Sequence, residues 1–166
     1  RWPELRVEGV RGNVGTRLRK WRQGGHGGVI LAMAGLERLG LIGDFPVHPL
    51  DPEIFPPAPG QGTLAVEVRR DSRARELCRI LDDGTTAGAA DAERRVVDAF
   101  GGNCNLPLAA WARRDGGDWR LTAVIATPDG RRLARSDVAA DDPGAAAGAA
   151  IEELRAQGAA EIVAGL

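Results

Sequence analysis

Leu106-Pro107-Leu108-Ala109-Ala110-Trp111-Ala112-Arg113-Arg114-Asp115-Gly116-Gly117-Asp118-Trp119-Arg120-Leu121-Thr122-Ala123-Val124-Ile125-Ala126-Thr127-Pro128-Asp129-Gly130-Arg131-Arg132-Leu133 is the stretch whose reading decides the fold of the C-terminal half. Three extended runs, 106–113, 119–127 and 131–138, are separated by Asp115-Gly116-Gly117 and Pro128-Asp129-Gly130. Both separators carry hairpin chemistry: aspartate bonds to its own turn and glycine accepts the backbone angles that tight turns need. Three antiparallel strands follow. Downstream, Asp142-Pro143 is a helix start with aspartate as cap and proline in the first helical position. Alanines, Ile151 and Leu154 supply that helix's buried side, Gly158 ends it, and 159–166 forms a short terminal helix. Upstream, Gly84-Thr85-Thr86 is a break, and Thr86 to Phe100 reads as a helix with Ala89, Val96, Val97 and Phe100 on its apolar positions. The last half is therefore a small α+β domain.

The first half alternates differently. Leu5, Val7 and Val10 lie in an extended pattern that ends at Arg11-Gly12-Asn13. Helical spacing then runs from Val14 to Arg22, with Val14, Leu18 and Trp21 on one face, Asn13 as N-cap and Gly24-Gly25 as the stop. Val29-Ile30-Leu31 is a continuous apolar run of the kind found in strands buried on both faces of a parallel sheet. Ala32–Gly40 is a tight turn into a short helix, and 42–60 is a proline-rich crossing segment. Thr63–Val68 reads as an alternating strand, and Asp71–Leu81 as a helix with Leu77, Cys78 and Leu81 on its buried side. Strand, helix, strand, helix is the order of an α/β domain.

With 43% hydrophobic and 27% charged residues the chain is globular, and 166 residues hold one domain or two small ones. A net charge of −1 gives no general attraction to nucleic acid or to a membrane surface, so any anion site must be a local cluster of arginines. No apolar run approaches the roughly 18 residues needed to cross a bilayer. Two separated cysteines, Cys78 and Cys104, match neither a metal site nor a disulfide framework, and point to a reduced, cytoplasmic setting. His26 and His48 have no neighbours at ligand spacing and read as surface residues, so no metal is expected. The chain opens on Arg1-Trp2-Pro3 without methionine and enters a strand-like run almost at once, which reads as a portion of a longer protein.

Two places carry chemistry. Phe100-Gly101-Gly102-Asn103-Cys104-Asn105-Leu106-Pro107 puts a thiol in a polar, glycine-led turn, unlike a core cysteine among apolar neighbours. The octapeptide by itself admits both an idle loop cysteine and a functional one. Arg11 and Arg17 flank a glycine turn between a strand end and a helix start, where open α/β sheets bind ligands and the helix dipole favours anions. Arg17-Leu18-Arg19-Lys20 taken as a run is more ordinary, a solvated basic face. Ala32 and Gly35 are small enough to let a ligand approach the backbone, and Gln61 sits between Gly60 and Gly62 in a similar turn.

Four blocks occur together and in order: Arg11-Gly12-Asn13-Val14-Gly15-Thr16-Arg17-Leu18, Ile30–Leu41, Pro57-Ala58-Pro59-Gly60-Gln61-Gly62 and Gly101–Pro107, with Ala92-Glu93-Arg94 besides. The chain closely resembles the later half of the porphobilinogen deaminase (hydroxymethylbilane synthase) family. The resemblance implies 1–51 as the end of a second periplasmic-binding-protein-like (type II) α/β domain. It implies 52–82 as a segment returning to the first such domain, and 83–166 as a small cofactor-carrying domain. It further implies a monomeric transferase that joins four porphobilinogen units into a linear tetrapyrrole, releasing ammonia each time.

In that family a dipyrromethane cofactor is held by a thioether to the loop cysteine, here Cys104. Arg11, Arg17, Ala32 and Gly35 match positions beside the cofactor. Arg38 and Gln61 match positions beside porphobilinogen and the growing polypyrrole chain. Acetate and propionate groups on each pyrrole suit planar guanidinium partners better than lysine. Cys104 is then an anchor, a soft nucleophile that captures an electrophilic methylene. Asn103 departs from the commoner glycine beside the cysteine. The family's catalytic aspartate lies in its first domain, so no catalytic residue is expected here. A different class remains open, a non-catalytic carboxylate-binding module on the same scaffold.

Overall fold

The computed structural model describes residues 4–102 and 106–166. The chain forms two compact units, Arg1–Pro49 and Leu50–Leu166.

In the second unit the hairpin chemistry yields β1 (Leu108–Asp115), β2 (Asp118–Ala126) and β3 (Leu133–Ala140). They form one antiparallel sheet in the order β1-β2-β3, with Ala110 opposite Ala123 and Ala123 opposite Ser136. Side chains of a strand alternate between faces, so this register gathers Ala110, Ala123, Ser136, Leu121 and Ile125 on one side. Three helices cover that side: α4 (Gly84–Ala99), α5 (Pro143–Ala156) and α6 (Ala159–Ala164). Leu121, Ile125, Leu154 and Val96 are the largest apolar side chains fully enclosed there, among many alanines. Trp119 fills the gap left by Gly88 of α4, where a Cβ would lie 2.9 Å from the indole.

Caps set the helix ends as their chemistry requires. Asp142 accepts from the N–H groups of Gly144 and Ala145 at 2.8 and 2.9 Å, and Asp83 from that of Thr86 at 2.7 Å.

The other face of the sheet is covered by the segment after Leu50. The Glu53 carboxylate pairs with Arg113, and its carbonyl accepts from Arg135 at 2.6 Å. Arg113 also lies 3.9 Å over the Trp111 ring and donates to the buried Thr122 hydroxyl at 3.3 Å. A charge pair thus sits where an exposed sheet face would otherwise be.

The first unit holds α1 (Val14–Arg22), capped by Asn13, and α2 (Met33–Arg38), followed by a 3-10 turn at Ile42–Asp44. Leu18 and Leu36 are its buried side chains among the described residues.

Three expectations are corrected. The runs at 5–10, 29–31 and 63–68 form no strand, and among the described residues every strand belongs to the C-terminal sheet. A strand buried in a parallel sheet is made by its neighbours, which take up its N–H and C=O groups. Among the described residues no such neighbour pairs with these runs, and Val7, Ile30 and Leu64 are 88, 80 and 73% exposed. The helix expected over 71–81 becomes α3 (Arg73–Cys78) and a 3-10 turn at Arg79–Leu81. Its apolar side faces solvent at Leu77, Ile80 and Leu81, and Cys78 is half-buried instead of a core residue.

Candidate functional site

The Arg11–Arg17 turn is built from the backbone outward. Gly12 has φ +123°, and a Cβ there would lie 2.7 Å from the Thr16 methyl, so the position takes glycine alone. The turn directs the Asn13 side chain to accept from Thr16 N at 2.9 Å, which starts α1. Arg17 is half-buried on the first turns of α1, its Nε donating to the Gly12 carbonyl at 2.8 Å. Lys20 reaches back to the Arg11 carbonyl at 3.0 Å. The Arg11 guanidinium itself is exposed. The ion pairs among the described residues include none to Arg11, Arg17 or Arg38, so no described carboxylate pairs with them.

Other cations of α1 are occupied. Arg19 donates to the Thr16 hydroxyl at 3.3 Å, and Arg22 lies 4.5 Å over the Phe45 ring and donates to the Asp44 carbonyl. These residues border a cleft of about 480 Å³ with Asn13, Leu41 and Phe45. The second helix stands close to the first: a Cβ on Gly35 would lie 3.7 Å from a Val14 methyl, ordinary contact distance. Ala32 precedes α2 and Arg38 lies on its last turn, exposed. Arg11, Arg17, Ala32, Gly35 and Arg38 therefore all belong to the first unit, the first two around the start of α1.

Gln61 belongs to the second unit. Its side-chain oxygen accepts from Ala58 N at 3.1 Å, and its own N–H donates to the Ala58 carbonyl at 3.1 Å. The turn is thus closed on itself. Cys104 lies outside the described residues. The loop that carries it is entered through Gly101 and Gly102, at φ +110° and +63°, with the Gly102 N–H bonded to the Val97 carbonyl at 3.0 Å. It is left through Pro107, whose carbonyl accepts from Ala126 N at 3.2 Å.

Sequence reasoning passed over Glu93. It is 8% exposed, and among the described residues no other charged side chain is buried. One oxygen accepts from Gly60 N at 2.7 Å and the other from Ala112 N at 2.9 Å. Burial pushes its carboxyl above the ordinary value of 4.5, while the two backbone N–H groups pull it back. A signal was present: Glu93 sits between Ala89 and Val97 on the apolar stripe of α4, where a carboxylate is out of place unless bonded.

The cofactor that the resemblance implies carries carboxylates. The donor set here fits it, since unneutralised guanidiniums stand at a helix N-terminus in a glycine turn.

Both parts of the chain match known proteins. Residues 1–76 match a family model described as the porphobilinogen deaminase dipyrromethane cofactor binding domain, and 87–156 match the porphobilinogen deaminase C-terminal domain. A porphobilinogen deaminase of Acidithiobacillus ferrooxidans (strain ATCC 53993 / BNL-5-31) is 47% identical over 98% of this chain and 53% of its own length. One from Exiguobacterium sp. is 39% identical over 98% and 53%, and one from Sorangium cellulosum 46% over 86% and 47%. The chain spans about half the length of the curated relatives it matches. With both of its parts matched in order, the chain belongs to the porphobilinogen deaminase family.

Proposed function

We propose that this chain is the product-holding portion of a transferase that joins four porphobilinogen units into hydroxymethylbilane, releasing ammonia, in tetrapyrrole biosynthesis. The observation that carries the reading is the set of unneutralised arginines, Arg11 and Arg17 at the start of α1 and Arg38 on α2. Arg11, Arg17, Ala32 and Gly35 would hold dipyrromethane, with Cys104 as its covalent anchor. Arg38 and Gln61 would hold porphobilinogen and the growing chain. When bound, dipyrromethane supplies the pyrrole end from which the chain is extended. The chain's own groups bind the carboxylates and orient them, with guanidiniums that stay charged at any working pH. Gln61 spends its oxygen on Ala58, so its amide nitrogen is the part left to meet a carboxylate.

The runs at 5–10, 29–31 and 63–68 support a further part of the reading. In the complete enzyme they would be strands of two periplasmic-binding-protein-like α/β domains, with 1–51 in the second domain and 52–82 returning to the first. The remainder, 83–166, would be the cofactor-carrying domain. Turnover would need the remainder of the relatives' length. We place the enzyme in the cytoplasm as a monomer, acting on small molecules and not on nucleic acid. Among the described residues no helix is long and apolar enough to cross a membrane.

The test is the intact mass of the full-length enzyme, with and without Cys104→Ala. The expected outcome is an adduct of dipyrromethane mass that reacts with an aldehyde reagent for pyrroles and disappears in the variant. An unmodified, fully active wild type would overturn the anchor. Binding of carboxylates without an adduct or turnover would favour the alternative, a non-catalytic carboxylate-binding module.

A further inference from the structure

We propose that Glu93 is a positioning residue: its carboxylate clasps the Gly60–Gln61 turn to the free edge of β1, and so sets Gln61 relative to the helix that leads to Cys104. The proposal rests on the functional reading above, and deepens it by naming what holds the Gln61 turn. β1 is an edge strand, so every second N–H along it points away from the sheet. Two of those groups are taken up in succession. The Ala110 N–H donates to the Pro57 carbonyl at 3.1 Å, and the Ala112 N–H to Glu93 at 2.9 Å. The second Glu93 oxygen then accepts from Gly60, 33 residues earlier in the chain, at 2.7 Å.

Residue type matters here because both partners are N–H donors. A side chain that bridges two donors must offer two acceptors. A carboxylate does. Glutamine, of the same length, offers one oxygen and one NH2, and the NH2 would meet an N–H head on. Aspartate offers both acceptors but is one methylene too short to span the gap. An edge cap alone would need only the bond to Ala112. The bond to Gly60 serves the turn.

That turn is closed internally by the Ala58–Gln61 bonds and by Thr63 N to the Gly60 carbonyl at 3.0 Å, so it moves as one piece. Glu93 and the Pro57 carbonyl are its attachments to α4 and β1. From Glu93, α4 runs less than two turns to Ala99 and the Gly101-Gly102 entry of the cysteine loop. One side chain thus ties the turn that bears Gln61 to the helix whose end leads into the Gly101-Gly102 entry.

The experiment compares the full-length enzyme with its Glu93→Gln and Glu93→Asp variants by residue-resolved amide hydrogen exchange and by kinetics. In Glu93→Gln, exchange at Gly60 should rise by about tenfold, the scale of one net hydrogen bond, while Leu121 and Ile125 in the sheet keep wild-type rates. KM for porphobilinogen should rise, with the adduct on Cys104 still formed. Glu93→Asp, milder because it keeps the charge, should show the same pattern at smaller size. Unchanged exchange at Gly60 would overturn the clasp. Acceleration of every amide together in both variants would also overturn it, since that is loss of stability and not of position. If wild type carries no adduct, the functional reading fails, while the Gly60 exchange still decides the clasp by itself.

Discussion

At the scale of single residues, the molecule turns on side chains whose partners are backbone groups. Arg17 is steadied by the Gly12 carbonyl, Gln61 by Ala58, and Glu93 by Gly60 and Ala112. Each spends at least one bond on its own placement before any ligand arrives. Missing side chains matter as much. Gly88 sits within α4, where glycine normally costs about 1 kcal/mol against alanine. Here the Trp119 ring occupies the space a methyl would need, at 2.9 Å from the Cβ position. Overpacking a filled site costs about 1–3 kcal/mol, which outweighs the propensity gained. Gly88→Ala is therefore expected to lose about 1 kcal/mol by urea denaturation, by the balance of those two terms. A gain in stability would show that the indole can step aside.

At the scale of elements, α4 and α5 of the second unit start on aspartates, and that makes part of its stability depend on acid. Asp83 accepts from Thr86 N at the first turn of α4. That backbone bond holds its carboxyl below the ordinary 3.8. A group lowered in the folded state stabilises fully above its unfolded value and stops doing so as pH falls through its folded one. Asp83→Ala should therefore be less stable than wild type at neutral pH, and the difference should close in acid below 3.8. Denaturant titrations at the two pH values check this; a gap that is constant with pH would mean the carboxylate is not the cap. The sheet has a parallel logic. Its open edge at β1 and its outer face are not left to solvent but are met by Pro57, Glu93 and Glu53.

At the scale of the whole molecule, apolar burial is uneven. The fully enclosed apolar side chains lie between the sheet and α4, α5 and α6, whereas Val7, Ile30, Leu64 and Ile80 stand in solvent. Amide exchange of the isolated 166-residue chain should follow that gradient. Protection is expected across β1–β3 and α5, and near-unprotected rates at 5–10, 29–31 and 63–68. Uniform protection along the chain would show that those runs find partners after all. The sequence by itself determined what is local. Asp-Gly turns, aspartate caps with proline after them, and the Gly12–Asn13 start of α1 act within a few residues, so their chemistry could be read directly. The candidate arginines were legible for the same reason, each lying beside a turn or on a short helix. Tertiary structure alone decided the rest. An apolar run such as Val29-Ile30-Leu31 is a strand only if another segment supplies its hydrogen bonds, and periodicity cannot say whether one does. Glu93 meets Gly60 across 33 residues and Glu53 meets Arg135 across 82, contacts that no local pattern encodes. Of those long-range bonds, the one from Gly60 to Glu93 holds the Gln61 turn.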